Sequence, residues 1–243
     1  MILDIENFFE LESFFHKKIF DNFQHLWTPL EILKAYLKNA LLNCKNKNIQ
    51  IPSTCYIENP DLVFIGENTL IEPYVYIKGP CIIGENSQIR QGAYIRENVI
   101  TGKNTIIGHA TEIKNSILLD DVSAAHFAYI GDSIIGNRVN IGAGVKLANF
   151  RLDKKLISFY LNSEKIKTNL NKLGSIIGDD TQIGCNTVLN PATFLEKNIK
   201  CMPSLNIGGH ISKNTIIKNE SSFSVKKITT RVLKNELTSK IEK

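Results

Sequence analysis

Aliphatic residues recur every six positions through the middle of this chain, and that period limits what it can fold into. Ile65, Ile71, Ile77, Ile83, Ile89 and Ile95 share one phase. Thr101 takes the next place, and Ile107, Ile113 and Leu119 continue it. Glycine often follows, as at Gly66, Gly84, Gly102 and Gly108. Four positions on, the residue is small or β-branched, as at Thr69, Val75, Cys81, Ser87 and Ala93. A period of six suits neither an α-helix, at about 3.6, nor a free strand, at about 2. It suits a triangular coil whose flat sides are short parallel strands, one hexad to a side, with the aliphatic residue inside. Gly-Glu-Asn at 66–68 and 84–86, and Gly-Lys-Asn at 102–104, suit corners that bulky residues resist. The hexads therefore predict a mainly β chain, a left-handed parallel β-helix of hexapeptide repeats over residues 51–218. A β-sandwich would show alternation with irregularly spaced turns instead. The phase slips between Ala124 and Tyr129, resumes at Ile135 and Ile141, and returns at Ile177, Ile183, Leu189 and Leu195.

The flanks read differently. Residues 1–50 are expected to form a helical N-terminal cap. Thr28-Pro29-Leu30-Glu31 reads as a capping box with Pro at the first helical position, and Leu30, Leu33, Leu37 and Leu41 give an apolar face. Upstream, Phe8, Phe9, Phe14, Phe15, Phe20, Phe23 and Trp27 form an aromatic-rich segment. Its expected task is to cover the open end of the prism, where strand edges would lack partners. A helix that docks a partner is the alternative. Residues 219–243 form a Lys-rich tail, expected to end in a short helix near 231–241.

Composition excludes several classes. The net charge of +5 is spread along the chain without an Arg-rich block, which argues against nucleic-acid binding. Five scattered cysteines with no C-x-x-C argue for reduced thiols and against a metal site. No signal peptide is recognisable, and no apolar run reaches the roughly 20 residues of a membrane span. The expected location is cytoplasmic.

Three features fit the repeat poorly. Arg96 and Lys114 lie 18 positions apart, one full coil, so they stack as neighbouring cations that an anionic ligand could bridge. His126 lies within the phase slip. Regular hexads also stop after Leu147, and a protruding loop at about 149–174 precedes their return; Leu156–Leu161 reads as half of a hairpin. His109 and His126 together suggest a zinc carbonic anhydrase on this fold, but the third histidine such a site needs is absent.

With Ile95-Arg96, Glu112-Ile113-Lys114, His126-x-x-Tyr129-Ile130-Gly131-Asp132 and Val139-Asn140-Ile141-Gly142-Ala143-Gly144, residues 95–148 resemble a known family. It is the acetyltransferase domain of the bacterial bifunctional N-acetylglucosamine-1-phosphate uridyltransferase. Ala148–Asp153 and Lys172–Asp180 look closer to archaeal-type sugar-1-phosphate nucleotidylyltransferases with the same C-terminal domain. The likeness covers about Asp61 to Ile211.

The resemblance implies a homotrimer with sites between neighbouring coils. It implies N-acetyl transfer from acetyl-CoA, as co-substrate, to an aminosugar 1-phosphate, with no metal required. Arg96 and Lys114 would hold phosphate and sugar. His126 would be the general base and Glu112 would orient it. Tyr129 and Asn140 would contact the sugar, and Lys172 would come from an adjacent chain. The backbone at Ala143 would face the thioester carbonyl, with Asn149, Phe150 and Cys185 along CoA. An imidazole near its free pKa of about 6.5 can take the proton, and backbone N–H groups can stabilise the oxyanion.

Several positions depart from the family. Phe150 stands where it has Tyr, and Cys185 where it has Ser. Cys201-Met202-Pro203 matches poorly. The arginine for the CoA phosphates has no counterpart unless Lys226 or Lys227 serves, and the Gly-rich nucleotidyltransferase loop does not occur. The leading expectation is an N-acetyltransferase for glucosamine 1-phosphate. Two alternatives stay open: another acyltransferase acting on a sugar or nucleotide-sugar, and a non-catalytic trimeric scaffold for a separate sugar nucleotidyltransferase.

Overall fold

The computed structural model describes residues 3–21, 24–42, 44 and 50–219. The hexads build three eight-stranded parallel sheets that form the sides of a prism. Sheet A runs from Tyr56–Glu58 to Asn206–Ile207, sheet B from Val63–Ile65 to His210–Ile211, and sheet C from Leu70–Ile71 to Ile216–Ile217. Ile65 pairs with Ile83, Ile71 with Ile89 and Ile77 with Ile95, each one coil on. These residues fill the prism and are fully buried.

The corners behave as their residues predict. Between sheets B and C, Asn68, Asn86 and Asn104 take left-handed conformations with φ of 58°, 55° and 55°. Asn68 Nδ2 donates to Asn86 Oδ1 at 3.1 Å, and Asn104 Nδ2 to Asp121 Oδ1 at 2.9 Å. The small inner residues carry a hydroxyl ladder. Ser87 N–H donates to Thr69 Oγ1 at 3.2 Å, and Thr105 N–H to Ser87 Oγ at 3.1 Å.

The phase departs from the sequence reading. The irregularity is not at His126, which lies on strand Ser123–His126 and pairs in register with His109. Instead, the side from Ile113 to Leu118 is one residue short, and so is the side from Ile130 to Ile135. Asn115 and Asp132, with φ of 43° and 50°, make these tighter corners. Leu118 therefore points inward and Leu119 outward. Both are apolar and buried, so the pattern alone did not separate them. All length variation falls at this A–B corner. It separates Ile57 from Ile65, Leu147 from Ile177 and Ile207 from Ile211, while the other two sides keep their hexads.

The N-terminal segment does not sit over an end of the prism. Its buried aromatic and aliphatic residues pack with Ile82, Ile100, Ile117, Ile134, Ile176 and Phe194, the outward side chains of sheet B. Helix α1 (Thr28–Leu41) has 14 residues, about 21 Å of length. It runs from Trp27, beside Phe194, down to strand Cys81–Ile83, five strand spacings or about 24 Å away. Sheet B is thus buried on both faces, as parallel sheets generally are. The capping box does not form. Trp27 precedes the helix without a side-chain cap, and Thr28 Oγ1 accepts instead from His25 N–H at 3.2 Å.

The hairpin is present, with Ser158–Leu161 antiparallel to Glu164–Lys167. It does not project. The Phe159 ring packs tilted against Phe194 at 4.4 Å and edge-on to Trp27 at 5.9 Å, which folds the hairpin onto sheet B. The first part of the excursion, around Leu152, is exposed, and so is the hairpin turn at 162–165. No described helix is long and apolar enough to cross a membrane. The expected C-terminal helix near 231–241, Phe23, Lys226 and Lys227 lie outside the described residues.

Candidate active site

Sheet A and its two corners hold most of the residues singled out above. At the C–A corner, His126, Ala143 and Cys185 form a column. Gly144 N–H donates to His126 O at 3.1 Å, and Asn186 N–H to Ala143 O at 2.8 Å. Phe127 follows His126 in a left-handed conformation, with φ of 53°. The imidazole is exposed, and no group among the described residues hydrogen-bonds its ring. Its neighbour one rung down, His109, is tied: its Nδ1 lies 2.8 Å from Gln91 O. The Ala143 N–H likewise has no acceptor among the described residues.

Across sheet A, a second group surrounds Asp132. This carboxylate is 8% exposed and receives Lys114 Nζ at 3.0 Å. Asn115 Nδ2 donates to its other oxygen at 2.9 Å, and Asn149 Nδ2 donates beside Lys114. Asn149 Nδ2 also donates to Tyr129 Oη at 3.2 Å. Three successive coils are thereby pinned at the root of the excursion. Leu173 N–H closes that root by donating to Asn149 O at 3.0 Å, which brings exposed Lys172 beside it. Gly131 is the floor of this group. A Cβ there would lie 2.7 Å from both Asn149 Nδ2 and Tyr129 Oη.

Three expectations need correction. Arg96 and Lys114 are not a bare cation pair. Arg96 donates to Glu112 at 2.9 Å, which pushes its pKa up, and Lys114 is held by Asp132. Glu112 therefore engages Arg96, and it makes no hydrogen bond to His126. Asn140 is not brought to Tyr129 either. It lies exposed on sheet C, in register with Ser123 and Gln182. Phe150 is half-exposed beside Asn149. Sequence reasoning gave no role to Asp132, Gly131 or Lys146. Asp132 and Gly131 stood in a quoted motif, but only the coil-to-coil register shows what they touch. No described group of three or more His, Cys, Asp or Glu residues is placed to hold a metal ion.

Hexad coils and three parallel sheets define a hexapeptide-repeat parallel β-helix. Residues 77–200, about half of the chain, match the GMPPB C-terminal domain family. An Escherichia coli protein, Uncharacterized acetyltransferase YaiX, is 36% identical over 197 residues, covering 79% of this chain and 86% of that protein. The chain belongs to this acetyltransferase family. The Bifunctional protein GlmU of Methanococcus maripaludis is 30% identical over 118 residues, 49% of this chain but only 28% of that protein. Among solved structures, the UDP-N-acetylglucosamine acyltransferase from Campylobacter jejuni superposes with a TM-score of 0.33 at 16% identity, covering 68% of each chain.

Proposed function

We propose that this chain transfers the acetyl group of acetyl-CoA to the amine of an aminosugar 1-phosphate, with glucosamine 1-phosphate the first candidate. The supporting observation is the exposed imidazole of His126, without a hydrogen-bond partner among the described residues, at the edge of a face that presents Tyr129 and Asn149. In this reading the sugar amine attacks the thioester carbonyl. A C–N bond forms while His126 takes the amine proton. The free N–H of Ala143 receives the developing oxyanion. The C–S bond then breaks, and the CoA sulfur leaves and is reprotonated from the imidazolium. No covalent enzyme intermediate is required.

The other residues follow from this arrangement. Tyr129 and Asn149 meet the sugar. Arg96 and Lys114, each already paired with a carboxylate, frame the acceptor side, with Glu112 holding Arg96. Phe150 and Cys185 flank CoA. Asn140 completes the site from a neighbouring chain of a homotrimer, since it lies on a different face from Tyr129 within one chain, and Lys172 stands beside Asn149 at the root of the excursion. The test is release of free CoA thiol from acetyl-CoA and glucosamine 1-phosphate by the purified protein. His126→Ala is expected to lower kcat by at least about 100-fold, the usual scale for a general base, with an unchanged melting temperature. Full turnover in that variant would remove His126 from the mechanism.

A further inference from the structure

Four cations line the outer face of sheet A: Lys78, Arg96, Lys114 and Lys146. Three of them are neutralised. Lys78 pairs with Glu58 at 3.2 Å, Arg96 with Glu112 at 2.9 Å and Lys114 with Asp132 at 3.0 Å. The last pair is largely buried, with side chains 12% and 8% exposed, so drawing Lys114 away would leave a buried carboxylate unpaired.

Lys146 differs. No described carboxylate pairs with it, and its Nζ donates to two backbone carbonyls, Phe127 O at 3.1 Å and Gly144 O at 2.8 Å. Carbonyls orient an ammonium without cancelling its charge. An ammonium has three donors, so one N–H remains without a partner among the described residues. Both carbonyls belong to residues in left-handed conformations, Phe127 with φ of 53° and Gly144 with φ of 75°. Those residues turn the corner directly after His126 and Ala143. Lys146 is also in register with Tyr129, one rung away, about 4.8 Å. The charge is therefore fixed in place between the imidazole corner and the tyrosine, and part of the entropic cost of immobilising a lysine on binding is already met.

We infer that Lys146 is the cation that binds the anionic oxygen group of the acceptor, a phosphate in the reading above, while Arg96 and Lys114 remain in their ion pairs. The inference rests on that reading for the phosphate's owner, but not for the anion site. Its experiment separates the two. Inorganic phosphate is titrated calorimetrically into wild type, Lys146→Met, Lys146→Arg and Lys78→Met, and KM is measured for glucosamine 1-phosphate and acetyl-CoA.

Lys146→Met is expected to weaken phosphate binding about tenfold or more and to raise the acceptor KM similarly, with the acetyl-CoA KM unchanged. Lys146→Arg keeps a charged donor and is expected to stay within about threefold of wild type. Lys78→Met is expected to change neither quantity. The inference is overturned if wild type binds no phosphate at millimolar concentration. It is equally overturned if Lys146→Met binds phosphate like wild type, or if the acetyl-CoA KM moves instead. If phosphate binds through Lys146 yet no aminosugar phosphate releases CoA, the proposed acceptor falls and the anion site stands.

Discussion

The B–C and A–B corners of the same prism have opposite characters. At the B–C corner every turn has the same length and polar side chains bond from rung to rung: Asn68 with Asn86, Asn104 with Asp121, Arg138 with Asp180, and Asn198 with Asn214 at 2.8 Å. At the A–B corner a serine ladder repeats, with Ser133 N–H donating to Ser116 Oγ at 3.1 Å and Ser175 N–H to Ser133 Oγ at 3.0 Å, but the turn length does not. Two turns are shortened at Asn115 and Asp132, and a long excursion leaves at Ala148. Yet sheets A and B continue unbroken through it, because their pairing depends on the strands and not on how the chain turns between them. The difference teaches where such a coil can vary. A corner that only joins two sides can lengthen or shorten, provided the next strand returns to register. That is the corner where the Asp132 cluster gathers.

If the B–C side is scaffold and the A–B side belongs to the site, damage to each should have its own signature. The largest effect is expected from Phe194→Ala on the face between them. This fully buried ring meets Trp27 and Phe159, and its loss should cost about 3–5 kcal/mol in chemical denaturation while the acceptor KM stays unchanged. A shifted KM would show that the flank and the site are coupled.

His16 gives a pH-dependent version of the same test. Its ring lies 3.0 Å from Tyr36 Oη, and burial pushes its pKa down from 6.5 to about 4. At neutral pH the imidazole is neutral in both states. As pH falls below about 6.5 the unfolded chain takes up the proton first, so stability is lost until about pH 4, where the folded chain protonates too. The loss should total roughly 3 kcal/mol and be absent in His16→Gln, as read from melting curves across that range.

Gly131→Ala addresses the other corner. The new methyl meets only the ends of two side chains, so stability should change by less than about 1 kcal/mol. Displacing Tyr129 Oη and Asn149 Nδ2 should nevertheless lower kcat/KM about tenfold. A normal rate would remove that pair from the site. The smallest effect on activity is expected from Asn86→Ala in the ladder. It loses one side-chain hydrogen bond and strains a left-handed corner, for about 1–2 kcal/mol of stability and no change in turnover. A changed turnover would end the division between scaffold and site.

The prism was legible because its period is unusual and its inward residues repeat it. The position of the N-terminal segment was also written there, in apolar doublets: Ile82-Ile83, Ile117-Leu118, Ile134-Ile135, Ile176-Ile177 and Phe194-Leu195. One member fills the prism and the other marks a sheet covered on its outer face. The same doublets hid the short turn, since Leu118 and Leu119 are interchangeable to a reader of hydrophobicity. At the site, residue types showed which cations exist but not which are already paired. That Lys114 is neutralised and Lys146 is not depends on which side chains meet between coils, which no one-dimensional pattern records.

The N-terminal segment also sets an order of events in time. Each coil pairs with the one just made, so the prism can grow as the chain is synthesised. The segment over its flank cannot settle so early. Glu10 N–H bonds Asp179 Oδ2 across 169 positions, and Asn7 Oδ1 accepts from Lys213 across 206. At about 5–20 residues per second, these aromatic-rich residues wait roughly ten to forty seconds after synthesis before their last partners exist. The outer face of sheet B is itself made strand by strand during that interval. A nascent chain of this kind carries two matching apolar surfaces that must wait for each other, and this is the stage at which chaperones or aggregation compete for it.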